Sequence, residues 1–177
     1  MTTHSFSVDE LSPTDLDLYV GDLSRVLVDS VADGASISFM APLDKTEAEQ
    51  FWRVDVRSGV ENGTRLLFGA LVGDQLIGTV QLILGMPPNQ PHRAEVSKMI
   101  VHPESRRLGV GRALMTTVIQ AARRANKTLV TLDTRTGDVS EALYTSVGFE
   151  QAGVIPDFAY DPYRQSRHAT TYMFMHL

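Results

Sequence analysis

The sequence contains no cysteine. Disulfides, thiolate metal sites and a cysteine nucleophile are therefore excluded together, and the absence fits a reducing compartment. Basic residues are in deficit: 16 Lys and Arg against 21 Asp and Glu leave a net charge of -5. That balance argues against a broad phosphate-binding face for nucleic acid. No stretch approaches the ~18 consecutive apolar residues of a membrane span. The first ten residues carry neither a basic start nor an apolar run, so no signal peptide is expected and a cytoplasmic location is. Five histidines (His4, His92, His102, His168 and His176) lack the tight spacing of a metal site, so no metal is expected and they are assigned to surface or loop positions. There is no repeat or low-complexity tract. What is present is a 177-residue chain with 43% hydrophobic residues, read as one domain over residues 1–177.

Periodicity gives the order of elements. Residues 5–11 alternate weakly, as a strand does. A helix opens at Pro13 behind the capping Ser12, with Leu16, Val20, Leu23, Leu27 and Val31 on one side. Residues 35–43 read as a loop. A second helix is predicted over 44–60, with Asp44 and Glu47 in capping-box spacing and Ala48, Phe51 and Trp52 as its apolar side. Strands over 65–72 and 75–84 flank Gly73-Asp74 as a hairpin. A proline-rich loop precedes a strand over 93–101. A helix over 109–126, a strand over 128–134 and a short helix over 138–147 follow, and strands over 149–155 and 170–177 close the chain. This order predicts a mixed α/β sheet in one domain.

The most informative segment runs from Val101 through Arg106-Arg-Leu-Gly109-Val-Gly111-Arg-Ala113. A strand ends, a proline turn follows, and a two-glycine loop feeds an amphipathic helix. Glycines allow close backbone approach, and a helix N-terminus offers unpaired N–H groups to phosphate. Arg106, Arg107 and Arg112 add local positive charge suited to a pyrophosphate. A P-loop is not matched, because Gly111 is followed by Arg-Ala-Leu rather than Lys-Ser/Thr. A dinucleotide fingerprint lacks its third glycine. On spacing alone, a glycine-rich turn with solvated arginines stays open.

Arg106-x-x-Gly109-x-Gly111 between a strand and a helix resembles the acyl-CoA signature of the GNAT acetyltransferase superfamily. Tyr144-x-x-x-Gly148-Phe149 resembles its later segment. Further segments are similar to the tabtoxin-resistance acetyltransferases: residues 34–44, Arg93-Ala-Glu95-Val96, Leu132-Asp133-Thr134, Glu141-Ala142, and His168-Ala-Thr-Thr-Tyr172. The resemblance implies an α/β (α+β) fold with a mostly antiparallel sheet flanked by helices. It implies acetyl-CoA as acyl donor and a small-molecule amine as acceptor, with a homodimer as a possible assembly. The strand end Met99, Ile100 and Val101 would bond the pantetheine arm. The backbone of Arg106, Arg107, Leu108, Gly109, Val110, Gly111, Arg112 and Ala113 would hold the pyrophosphate. Tyr144 would protonate the leaving thiolate, and Glu95 and Asp133 would form the acidic pair. Many GNAT members carry asparagine seven residues before the tyrosine; this chain has Gly137.

The residues themselves support that chemistry. A lysine-like amine has a pKa near 10.4 and needs a general base at neutral pH. The leaving thiolate needs a proton, which a phenol can supply. Without cysteine, direct transfer is simpler than an acyl-enzyme. Strand alternation puts Glu95, Ser97 and Met99 on one face, and Thr131 and Asp133 on one face of the next strand. Either carboxylate is a candidate base, or could hold the substrate ammonium. Tyr144 lies at the edge of an apolar stripe of Val139, Ala142, Leu143 and Val147. Residues 35–43, with Ser36, Phe39 and Met40, form a candidate acceptor wall, and His168 is a candidate substrate contact. Trp52 is assigned to the core. Two alternatives stay open: acetylation of a protein or peptide amine, and a non-catalytic acyl-CoA binder. The sequence does not name the acceptor.

Overall fold

The strands of the computed structural model, which describes residues 5–177, are β1 (Ser7–Glu10), β2 (Arg65–Val72), β3 (Gln75–Ile83), β4 (Arg93–Val101), β5 (Leu129–Arg135), β6 (Glu150–Tyr160) and β7 (Arg167–His176). They form one sheet in the order β1-β2-β3-β4-β5-β7-β6. Every pair is antiparallel except β4–β5. The helices are α1 (Pro13–Ala32), α2 (Lys45–Gln50), α3 (Arg57–Glu61), α4 (Val110–Arg124) and α5 (Val139–Ser146). A π-helical segment over Phe51–Val56 joins α2 to α3. This is the mixed, mostly antiparallel α/β architecture expected.

Local signals explain most boundaries. Ser12 Oγ accepts from the Asp15 N–H and Asp15 accepts in return from the Ser12 N–H, so α1 starts with a full capping box ahead of Pro13. Asp44 caps α2 by accepting from the Glu47 N–H at 2.8 Å. The π segment inside the expected second helix has a reason in spacing. Ala48, Trp52 and Val56 are all buried and stand four residues apart. In an α-helix each would turn about 40° from the last. The wider π turn keeps Trp52 and Val56 on the core.

The sheet has a core on each face. Leu67, Leu76 and Ile100 pack under α1 with Leu23, Leu27 and Trp52. Ala94, Val96, Leu114, Val118, Val130, Leu132 and Tyr144 pack on the α4 side. Strand β4 changes face midway. Gln81 pairs with Ser97 but Thr79 pairs with Ile100, so β4 holds one extra residue there, and Lys98 takes φ 50°. Such a bulge inverts the alternation. Beyond it Ile100 joins the α1-side core while Met99 and Val101 pack toward α4. Met99 therefore does not share the face of Glu95 and Ser97, contrary to the period-two expectation.

Two other expectations are corrected. Strand β6 continues through Pro156 to Tyr160 rather than ending at residue 155, because it is the sheet edge, where proline's missing N–H is tolerated. On α5, Val139 is 81% exposed and Ala142 is exposed, while Tyr144 is the buried residue. The short helix docks on β5 and α4 by one narrow side, and Tyr144 occupies it. No helix among the described residues is long and apolar enough to cross a membrane.

Trp52, fully buried where the π segment meets α1, should lose about 3–5 kcal/mol of stability on replacement by alanine. Val139→Ser should stay within about 0.5 kcal/mol of the parent. Urea unfolding of the two variants checks both.

Candidate active site

The parallel pair β4–β5 holds only over Arg93–Leu129, Ala94–Val130 and Glu95–Thr131. Beyond those residues β5 continues along β7 to Arg135, and β4 continues along β3 to Val101. The two strands part, and the β5-side edge of β4 after Glu95 has no ladder partner. Backbone N–H and C=O groups on such an edge need partners. Met99, Ile100 and Val101 lie along this opening, where an extended, amide-bearing ligand could pair as a strand would.

At the end of β4, His102 and a 3₁₀ turn over Pro103–Ser105 lead to the two-glycine loop. Arg107 (φ 65°) and Gly109 (φ 87°) both take the left-handed conformation, which Gly109 adopts at no steric cost. Helix α4 has no side-chain cap, and the loop-to-helix bond is donated by Ala113 to Gly109 at 3.1 Å. The N–H groups of Val110, Gly111 and Arg112 thus lack intrahelical acceptors and favour an anion. A Cβ on Gly111 would stand 3.0 Å from Leu143 Cδ2, so the glycine lets α4 and α5 approach closely. The arginines divide. Arg106 pairs with Asp33 at 2.5 Å and bonds the Val101 carbonyl at 3.4 Å, bracing the loop against α1. Arg112 bonds Ser146 Oγ at 3.0 Å. Among the described residues Arg107 has no side-chain partner. Of the three arginines expected to add positive charge here, Arg106 and Arg112 thus have protein partners.

Glu95, Thr131 and Asp133 project from the α1-side face of the sheet, opposite Ala94, Val130 and Leu132. The structure thus brings together the two carboxylates that the sequence placed on separate strands. They differ in circumstance. Arg93 Nη1 reaches Glu95 Oε2 at 2.9 Å and Thr131 Oγ1 at 2.7 Å, pinning Glu95. Asp133 has no side-chain hydrogen-bond partner among the described residues; its own backbone N–H is the donor that acts on it. Its carboxyl is raised above the usual range, first by desolvation and then by Glu95, with Lys98 partly offsetting both.

Lys98 was missed by sequence reading, since plain alternation aims it at α4. At the bulge its ammonium instead lies 3.3 Å from Ser38 Oγ and 5.9 Å from the Phe39 ring centre. Desolvation pushes it below the usual lysine range, against the pull of Asp133. No glycine or proline marks this bulge, so no sequence signal was available.

Tyr144 is 6% exposed. Its phenol is pushed upward by burial and then by Asp138 and Asp133, so it stays protonated at neutral pH and can donate. On the α1-side face, the loop over 35–43 is tied down. Ser36 Oγ and His168 Nε2 are 2.6 Å apart. Ala41 N–H donates to the Pro162 carbonyl at 2.8 Å, and Tyr163 OH donates to the Ala32 carbonyl at 2.7 Å. Phe39 packs edge-on against Phe51, and Met40 is half-buried. A cavity of about 260 Å³ beside Phe39 is lined by Glu47, Gln50, Phe51, Val54 and Asp55. It shares only Phe39 with the expected wall.

His102 lies in the loop that follows β4 and is buried there, with Nε2 2.9 Å from Asp29; it ties the end of β4 to α1. His92 and His176 are exposed, and His4 lies outside the described residues. No group of side chains among the described residues could hold a metal. Gly137 donates its N–H to Glu141 Oε2 at 2.7 Å, so the turn where the resembling superfamily carries asparagine is bonded internally.

The sequence model of the acetyltransferase (GNAT) family matches residues 31–149. N-acetyltransferase 8 of Homo sapiens is 37% identical over 82 residues, covering 45% of this chain and 36% of that protein. N-acetyltransferase 8B of Rattus norvegicus is 34% identical over 83 residues, covering 46% and 37%. The match thus spans little more than a third of these curated relatives. Among solved structures, a Salmonella typhimurium protein described as an acetyltransferase with its cofactor acetyl-CoA superposes with TM-score 0.78 at 18% identity, covering 98% of this chain and 94% of that one. A ribosomal-protein-alanine N-acetyltransferase from Brucella melitensis gives TM-score 0.78 at 20% identity, covering 97% and 99%. At these identities the structural likeness establishes the fold. The residues present fit an acyl-CoA: a diphosphate suits the free N–H groups at the start of α4, and a pantetheine arm suits the open edge of β4.

Gly111→Val should weaken coenzyme A binding by about tenfold or more, the size expected when overpacking of roughly 1–3 kcal/mol falls on the binding loop. Titration calorimetry measures the affinity, and circular dichroism should report an intact fold.

Proposed function

The chain belongs to the acetyltransferase (GNAT) family, and on that premise we propose that it is an acetyl-CoA-dependent acyltransferase that moves the acetyl group directly to an amine of a small, amino-acid-like molecule. The observation that carries this reading is Asp133. Its carboxylate has no side-chain hydrogen-bond partner among the described residues, has a raised pKa, and stands on the acceptor face where β4 and β5 part. A carboxylate in that state is a better base for an ammonium than an ordinary aspartate. Glu95, held by Arg93, whose guanidinium Thr131 Oγ1 also accepts from, supplies negative potential and raises Asp133 rather than taking the proton.

In this reading Asp133 accepts the proton of the incoming amine. An unpaired N–H on the open edge of β4 faces the developing oxyanion. Tyr144 donates its proton to the departing thiolate. The loop over 35–43, tied down by the Ser36–His168 and Ala41–Pro162 bonds, supports a small acceptor over a polypeptide, which would need that loop to make room. The segments similar to tabtoxin-resistance enzymes include Ser36, Phe39, Glu95, Asp133 and His168 on this same face, which supports an amino-acid-like acceptor. The homodimer implied by the same resemblance stays with this reading.

Thiol release from acetyl-CoA against a panel of amino acids, β-lactam amino acids, aminoglycosides, polyamines and peptides tests the reading; release with peptides alone would overturn it. Tyr144→Phe should lower kcat by about a hundredfold while coenzyme A affinity by calorimetry stays within about threefold. An unchanged kcat removes the acid role.

Asp133→Asn should lower kcat/KM by about a hundredfold or more. In the parent, activity should fall as pH drops through a pKa above the ordinary aspartate value of about 3.9. The sign for stability is opposite. A carboxyl whose folded pKa is raised contributes stability below its unfolded pKa and loses it as pH rises through the folded one. Asp133→Asn should therefore melt no lower than the parent at neutral pH while being far less active. A matched loss of melting temperature and activity would assign Asp133 to structure.

A further inference from the structure

Lys98 is a cation without a counter-ion. The bulge turns it onto the acceptor face, where Ser38 Oγ at 3.3 Å and the Phe39 ring are its contacts. Among the described residues no carboxylate stands within ion-pair distance of it. Its surroundings are rich in donors. Arg65 lies close enough to act on it unfavourably and is itself desolvated, so that its pKa is lowered. Gln81, in register with Ser97, accepts from Arg65 Nη1 through its amide oxygen at 2.5 Å, and its Nε2 is buried without a partner among the described residues. A partly desolvated ammonium among donors gains most from an anion, because charge-assisted hydrogen bonds are stronger than neutral ones. Across the face, Glu95 and Asp133 present negative charge. The acceptor face is thus bipolar.

We infer that Lys98, with Ser38, binds a carboxylate of the acceptor and so selects a zwitterionic amino acid whose amine is directed at Asp133. This rests on the small-amine reading and narrows it. A simple amine would leave Lys98 uncompensated, and a substrate with two cationic ends would face it directly. Lys98 acts on specificity; it takes no proton in the transfer.

The test compares amino acids with their own carboxamides as acceptors, for example lysine, ornithine and phenylalanine, in the thiol-release assay. The carboxamides carry the less basic amine, so intrinsic reactivity at neutral pH works against the expected preference. The parent enzyme should favour the best amino acid over its carboxamide by about tenfold or more in kcat/KM, as a charge-assisted contact would produce. Lys98→Met should bring that ratio near one, chiefly through the KM of the amino acid, and Lys98→Arg should keep most of it. Calorimetric binding of coenzyme A to each variant verifies folding. Equal use of acids and carboxamides by the parent, or an unchanged ratio in Lys98→Met, overturns the inference and leaves the acetyltransferase reading standing. No turnover of either set by an enzyme that binds acetyl-CoA overturns both.

Discussion

Strand β4 carries one residue more than β3 between the Gln81–Ser97 and Thr79–Ile100 pairs, and the candidate site is arranged around that residue. A bulge bends its strand and increases the local twist. Here the parallel pairing with β5 ends at Glu95–Thr131, just before the bulge. The opening between β4 and β5, the free edge over Met99, Ile100 and Val101, and the presence of Lys98 on the acceptor face all follow from it. A straight β4 would pair with β5 along its length, close the opening and send Lys98 into the apolar core under α4.

The bulge also divides the chemistry between two faces. On the α4 side, Met99 and Val101 pack near Gly111, and Tyr144 fills the space between α5 and the sheet. On the α1 side stand Glu95, Asp133 and Lys98 beneath the loop tied to His168 and Pro162. A donor threaded through the opening would meet the phenol from one side and the acceptor from the other. Electrostatics follow the same partition: burial keeps Tyr144 protonated, while burial and Glu95 make Asp133 more basic.

Elements with strong local signals were legible in the sequence. The Ser12-Pro13 start of α1, the Gly73-Asp74 hairpin and the loop-to-helix step at Gly109 are each specified within a few residues. Glu95 and Asp133 were legible as strand residues, but their meeting depends on β4 and β5 being neighbours, which is a property of topology. The bulge was not legible, because Ser97-Lys98-Met99 contains no glycine and the left-handed turn falls on a lysine. The error over Met99 and the omission of Lys98 are one misjudgement, since both follow from assuming an unbroken period of two. Tyr144 was placed at the edge of the apolar stripe rather than at its centre because an eight-residue segment contains too few turns for apolar spacing to identify the inward side.

A left-handed lysine costs free energy in a strand that could otherwise stay regular. The surrounding structure holds it by means that do not depend on Lys98 itself. Ile100 is anchored in the α1-side core, Ala94 and Val96 in the α4-side core, and the chain between them must cross from one register to the other. With both ends fixed by apolar burial, the intervening residues have to absorb the extra length. The side chain at the left-handed position then emerges toward the loop over 35–43. Its identity is free to answer the needs of the acceptor, while the backbone beneath it answers those of the opening.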